Sequence, residues 1–200
     1  MRFVPLEKVP LLEAAIAAEI ERGSWTRQRD ALAVALGLHG LRVGEVCQAR
    51  LDDLFVGGGT LHVRTLKRGR VREVSLHASL VTALLEWRAA ARHSWLLFTR
   101  PGNQVHCSQF ERAARRLIHQ VLGEPLKFHA LRHTFAMRLY AETADLFLVK
   151  QLLGHHSVKS TEVYAASLAR VPDACLVRLR PDALGQAGAP QQLKLFSPTG

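Results

Sequence analysis

Acidic residues are few in this chain: 17 Asp and Glu stand against 27 Lys and Arg, a formal net charge of +10. That imbalance disfavours cationic partners and favours an anionic one, most simply nucleic acid. Aromatics are also sparse, at 6%, which argues against the stacking platforms that grip single strands. There are three cysteines, Cys47, Cys107 and Cys175. An odd number without paired spacing suggests neither a disulfide framework nor a zinc site, and a reducing cytoplasm is the simpler setting. No apolar run approaches the ~20 residues of a membrane helix. The N-terminal stretch is broken by Glu7, Lys8, Glu13, Glu19 and Glu21, so it does not read as a signal peptide. What is present is a hydrophobic content of 48% over 200 residues, enough for a core without covalent staples and for one domain with a tail.

Periodicity predicts a helix over 6–21, with Leu11, Leu12, Ala15, Ile16 and Ile20 on one face. A second is expected over 27–38, capped by Ser24 or Thr26 and ended by Gly37 and Gly40, and a short third over 43–50. Leu54 to Val56, Thr60 to Leu66 and Val71 to Leu76 read as three strands, separated by a glycine turn and by the basic turn Lys67-Arg68-Gly69-Arg70. Helices are expected again near 78–91, 107–121, 129–141, 145–153 and 158–168, with Asp145 and Gly154 as cap and stop of the fourth. Trp95 to Phe98 is a short apolar stretch, and Pro101-Gly102-Asn103 a turn. The fold class is therefore α+β: mainly helical, with a small three-stranded antiparallel sheet. Residues 1–182 read as one domain. Residues 183–200, rich in Gly, Ala, Pro and Gln, read as a flexible tail.

The second half holds chemistry-bearing residues at fixed intervals. His129 and Arg132 lie in HALRHTFA, three apart and so on one helical face. His155 follows Gly154, and Tyr164 lies in STEVYA. Arg42 lies far upstream in GLRVGEV. Two guanidiniums, two imidazoles and a phenol suit attack on a phosphodiester without a metal. Individually these residues are ordinary: a helical Tyr is usually a core or rim residue, and His-x-x-Arg is often a solvated face.

Together they resemble the tyrosine recombinases of the phage integrase family. GLRVGEV is similar to that family's first arginine box, HALRHTFA to its His-x-x-Arg box, and LGHHSVKSTEVYA to its His-to-Tyr box. The match runs from about Arg27 to Ser167. The resemblance places a catalytic lysine on the hairpin after the first box, where Lys67 stands, and marks Glu45 as a supporting acidic position that orients Arg42 or a neighbour. His133 fits as a structural residue. Where the family often has Pro, this chain has Ser75. His156 replaces a small residue, and Ala165-Ala166-Ser167 offer no downstream His.

The resemblance implies a site-specific recombinase that cuts and rejoins DNA through a 3′-phosphotyrosyl link. Tyr164 is the implied nucleophile. Arg42, Arg132 and His155 face the non-bridging oxygens, Lys67 protonates the leaving 5′-oxygen and His129 takes the phenol's proton. Arg68, Arg70 and Arg72 are expected on the DNA backbone. No cofactor and no metal are implied. The expected partners are double-stranded DNA and further copies, as a tetramer on paired sites, with an accessory DNA-bending protein as a further candidate. A cytoplasmic, nucleoid-associated enzyme is the corresponding setting, with no membrane partner. Arg42 comes only 41 residues after the start, so the chain resembles short members without the N-terminal clamp domain, unless it is a piece of a longer enzyme. In the tail, Gln192, Leu193, Leu195 and Phe196 resemble the peptide by which bacterial proteins dock on the replication sliding clamp; alternatively they pack on this protein or a neighbouring copy. A type IB topoisomerase and a DNA-binding regulator without cleavage are the rival readings. The box spacings disfavour the first, and the positioned phenol disfavours the second.

Overall fold

The computed structural model describes residues 2–64, 71–89, 94–98 and 103–153. Its organising element is α2 (Trp25–Leu38), which is buried on all sides from Arg29 to Leu38. Its stretch Ala31–Leu38 is apolar around the whole circumference, and such a stretch belongs in the middle of a domain. Accordingly α2 packs against α1 (Val9–Arg22), α3 (Val43–Gln48), α4 (Ala78–Ala89), α5 (Cys107–Leu122) and α6 (His129–Thr143). A single 3-10 turn, Leu6–Lys8, leads into α1, whose Pro10 sits in the first turn. There a missing N–H removes no helical bond.

The expected three-stranded sheet is present, with β1 (Leu54–Phe55), β2 (Thr60–Arg64) and β3 (Val71–Ser75) in the order β1-β2-β3, all antiparallel. Leu61 pairs with Leu54 and Val74, and Val63 with Arg72. Directly paired residues share a face, and residues two apart along a strand do too. Leu61, Val63 and Val74 therefore form one buried face. β1 is shorter than expected because Val56–Gly58 closes a 3-10 turn into Gly59, whose φ is +60°. Arg50 and Phe98 make isolated bridges to Trp95 and Gln104, and the rings of Trp25, Trp87 and Phe98 cluster within 4.6–5.6 Å.

α7 (Leu146–Leu153) begins as expected at Asp145, whose carboxylate accepts the N–H groups of Phe147 and Leu148 at 2.8 and 3.0 Å. It packs with α6 around Ala136, Met137, Val149 and Leu153. The expected helix at 158–168, the basic turn at 67–70 and the tail lie outside the described residues.

Gly37 does not end α2 as the sequence suggested. It lies inside the helix, and a Cβ there would come within 2.8 Å of Leu131 and Phe128 side-chain atoms. Its role is close approach of α2 to α6. Gly40 does end the helix. At φ +87° it occupies the left-handed position after the C-cap, with Gly40 N–H bonded to Gly37 O (3.0 Å) and Leu41 N–H to Leu36 O (3.3 Å). That bond pair is a Schellman motif, and the buried Leu36 and Leu41 supply its apolar contact.

The C-cap residue His39 is 1% exposed. Its Nδ1 lies 2.9 Å from Ala35 O, and its Nε2 accepts the His77 N–H at 3.4 Å, which fixes the neutral tautomer with the proton on Nδ1. Burial, above all, lowers its pKa to about 4 from the ordinary 6.5. Between those values the unfolded chain binds a proton that the folded chain refuses, so stability is complete above pH 6.5 and falls as the pH drops toward 4. At 1.36 kcal/mol per pKa unit the full loss is about 3 kcal/mol. Melting temperature should decline from pH 7 to pH 5 in the wild type and stay nearly level in His39→Gln. Equal slopes in both proteins would reject the assignment.

Candidate active site

The chain leaves the Schellman turn through Gly40 and Leu41 and enters α3 at Arg42, which stands at the N-cap with extended backbone (φ −78°, ψ 152°). A buried helix thus delivers Arg42 to the surface within four residues. Glu45, at the third position of α3, reaches back to the N-cap: its Oε2 accepts the Arg42 N–H at 2.8 Å, the acidic half of a capping box. The same carboxylate accepts from the Arg42 guanidinium, Nη1 to Oε1 at 2.9 Å.

Two further guanidiniums converge on Glu45. Arg72 Nη2 lies 3.0 Å from Oε2, and Arg132 Nη1 lies 3.8 Å from the same oxygen. The Glu45 side chain is 1% exposed. Burial alone would raise its pKa, but Arg72, the Arg42 N–H and the charges of Arg132 and Arg42 outweigh that and hold it below the usual carboxylate range. Three cations on one anion leave an excess of positive charge. Arg42, at 38% side-chain exposure, is the member that opens it to solvent.

Arg132 lies in the first turn of α6 and its side chain is 1% exposed. Its fork reaches two main-chain carbonyls, Nη1 to Gly40 O and Nη2 to Leu153 O, each at 2.5 Å. Arg72 repeats the arrangement, donating Nη1 to Leu152 O at 2.9 Å and Nη2 to Gly40 O at 3.3 Å. Both arginines therefore tie the loop before Arg42 to the end of α7, the residues immediately ahead of the 155 box. Planar guanidiniums suit this bridging because one group offers several donors in fixed directions.

His129 opens α6 one turn before Arg132, at the solvent edge, with its ring 4.3 Å from that of His133 in an edge-on contact. Partial burial, then the Arg132 and Arg42 charges, lower its pKa, against an opposing pull from Glu111. Its imidazole is therefore held neutral at neutral pH. Glu111 also accepts the Phe128 N–H at 3.0 Å, which anchors the start of α6 to α5.

The structure thus brings together Arg42, Glu45, Arg132 and His129, which the sequence had singled out. It adds Arg72 to that cluster: the side chain is 12% exposed and bound to Glu45, Gly40 and Leu152. The strand alternation carried the signal, since Arg72 shares the inward face with Val74 while Val71, Glu73 and Ser75 are exposed. Lys67, Arg68, Arg70, His155, Tyr164 and the tail residues Gln192, Leu193, Leu195 and Phe196 lie outside the described residues. Among the described residues no helix is long and apolar enough to cross a membrane.

The described residues form a mainly helical α+β domain with a three-stranded antiparallel sheet, in which two box arginines gather on one carboxylate. The chain belongs to the phage integrase family, which it matches over residues 11–170. It is 29% identical over 191 residues to the putative integrase/recombinase y4rC of Sinorhizobium fredii, covering 86% of this chain and 55% of that protein. It is 34% identical over 164 residues to the tyrosine recombinase XerC of Mycobacterium tuberculosis, covering 76% and 55%. Among solved structures it is similar to the XerA recombinase (TM-score 0.69, 25% identity, 82% of this chain and 60% of that one). It is also similar to the XerH site-specific recombinase bound to its palindromic difH substrate after cleavage (TM-score 0.73, 25% identity, 83% and 50%). The chain spans about half the length of the curated relatives it matches.

Proposed function

We propose that this chain is the catalytic domain of a site-specific tyrosine recombinase that cleaves and rejoins double-stranded DNA through a 3′-phosphotyrosyl intermediate. The observation that supports it best is the convergence of Arg42 and Arg132 on Glu45, with His129 one helical turn from Arg132. A regulator that only bound DNA would need surface cations, whereas this carboxylate holds arginines in a fixed, partly desolvated cluster where electrostatic stabilisation of a phosphorane is strongest.

The chemistry follows from those positions. The Tyr164 hydroxyl oxygen attacks phosphorus, and the bond to the 5′-oxygen breaks. A phenol with an ordinary pKa near ~10 needs a proton acceptor at neutral pH, and the neutral imidazole of His129 provides one. Negative charge growing on the non-bridging oxygens meets the excess positive charge around Glu45, with Arg42 at the open edge. Lys67 delivers the proton to the leaving 5′-oxygen, and His155 adds a donor. The phosphotyrosyl bond conserves the phosphodiester for resealing by a 5′-hydroxyl. Further copies on paired sites would exchange strands, and DNA affinity would fall steeply with salt because the grip is mainly cationic. An accessory DNA-bending protein, and docking of 192–196 on a sliding clamp, belong to the same proposal. Phe196→Ala should abolish binding to purified clamp, and no binding by the intact chain would end the clamp idea.

The deciding measurement uses a nicked suicide duplex carrying the cognate site. The protein should form a covalent adduct stable on a denaturing gel, and Tyr164→Phe should form none. An adduct that persists in Tyr164→Phe, or none from wild type on a site it demonstrably binds, would overturn the proposal. Relaxation of supercoiled DNA without exchange between sites would favour the topoisomerase reading.

A further inference from the structure

Cys47 lies on α3 and Cys107 is the first residue of α5, 60 positions later, yet their Sγ atoms are 2.8 Å apart. That is well inside nonbonded sulfur contact and within about 1 Å of the ~2.05 Å of a disulfide bond. Both are free thiols. The surroundings hold the pair in register: α3 packs on α5, and Gln104 Nε2 donates to Cys47 O at 3.0 Å. Cys47 is 3% exposed, whereas Cys107 is half-buried. One sulfur can thus meet a small oxidant, with the other already seated against it.

We infer that Cys47 and Cys107 form a two-thiol modification site, oxidised by a hydroperoxide to a reversible intramolecular disulfide. The sulfur of the half-buried Cys107 attacks a peroxide oxygen. The O–O bond breaks, the other oxygen leaves as water, and Cys107 becomes a sulfenic acid. The Cys47 sulfur then attacks the Cys107 sulfur, the S–O bond breaks, and the Cys47 proton departs with the hydroxyl as a second water. Two thiols and one hydrogen peroxide give one disulfide and two waters. Burial, foremost, and the adjoining Cys107 push the Cys47 thiol up. Cys47 therefore retains its proton until the sulfenic acid beside it accepts it, which assigns the attack on peroxide to Cys107. The bond would join the helix bearing Glu45 to the helix bearing Glu111, the two carboxylates that hold Arg42 and the start of α6.

The test uses the full chain with Cys175→Ser, so that only the two thiols report. Limiting hydrogen peroxide should lower the titratable thiols from two to none and reduce the intact mass by two hydrogens. A peptide linking Cys47 to Cys107 should appear, and dithiothreitol should reverse every change. Because the closed loop is long, the oxidised protein should melt several degrees higher than the reduced one. With Cys47→Ser added, Cys107 should stop at sulfenic or sulfinic acid and the melting shift should vanish. Two thiols surviving peroxide, oxygen added to Cys107 without loss of the Cys47 thiol, or only interchain dimers would each overturn the inference. None of these readouts depends on DNA cleavage, so their failure leaves the proposed activity untouched.

Discussion

Arg132→Lys is expected to slow DNA cleavage by about 10²–10³-fold, the usual cost of losing one transition-state donor, and to destabilise the protein as well. The reason lies in the two carbonyls that Arg132 bridges. Gly40 O is 92 residues away in sequence and Leu153 O is 21, and one planar fork reaches both. A lysine ammonium is a single point on a flexible stem and cannot span them. At least one main-chain acceptor would lose its donor, at about 1–3 kcal/mol, which lowers the melting temperature by roughly 3–10 °C for a chain of this size. Site affinity should change far less, because Arg132 is one cation among many and its guanidinium is buried. Single-turnover cleavage, melting and a binding titration separate these effects. Cleavage within about threefold of wild type would show that the fork organises nothing the reaction needs.

How much of this was legible beforehand differs residue by residue. The helices were readable because their apolar positions recur locally and their ends carry local chemistry. Asp145 caps α7 through its own carboxylate, and Gly40 takes a left-handed φ that other residues rarely adopt. Gly37 misled because the same residue type also serves close helix packing, and its partners Phe128 and Leu131 lie some ninety residues away. Arg42, Glu45, His129 and Arg132 were legible as box residues, and the capping geometry of Glu45 follows from its spacing of three. The inward place of Arg72 is carried by strand alternation, which sets it on the face of Val74, and its charge says nothing of that. No local rule could supply its acceptors, which stand 27, 32 and 80 positions away. The cysteine pair shows the same limit: an odd count without paired spacing argued against a bridge, yet α3 and α5 bring two of the three sulfurs into contact.

The other large effect is expected at Glu45. Glu45→Gln keeps the volume and one carbonyl acceptor but removes the only negative charge shown within ion-pair distance of Arg42, Arg72 and Arg132 among the described residues. Leaving the largely buried Arg72 guanidinium without the Glu45 charge costs about 3–5 kcal/mol, or a drop in melting temperature of about 10 °C. Cleavage should fall with it, because Arg42 loses the charge that orients its guanidinium. The sign with pH provides a second test. The folded pKa of Glu45 is depressed, so its contribution is complete above the ordinary carboxylate value of 4.5 and is lost as the pH falls through the folded value. Wild type should therefore lose its advantage over Glu45→Gln below about pH 4.5, where the two melting curves should draw together. Arg72→Met should destabilise the wild type but cost less in the Glu45→Gln background, where only the bonds to Leu152 O and Gly40 O remain to be lost. Contacting charges couple, whereas independent sites add. Strictly additive effects of the two substitutions would show that Arg72 and Glu45 do not act as one unit, and that the arginines are held in place by their main-chain carbonyls alone.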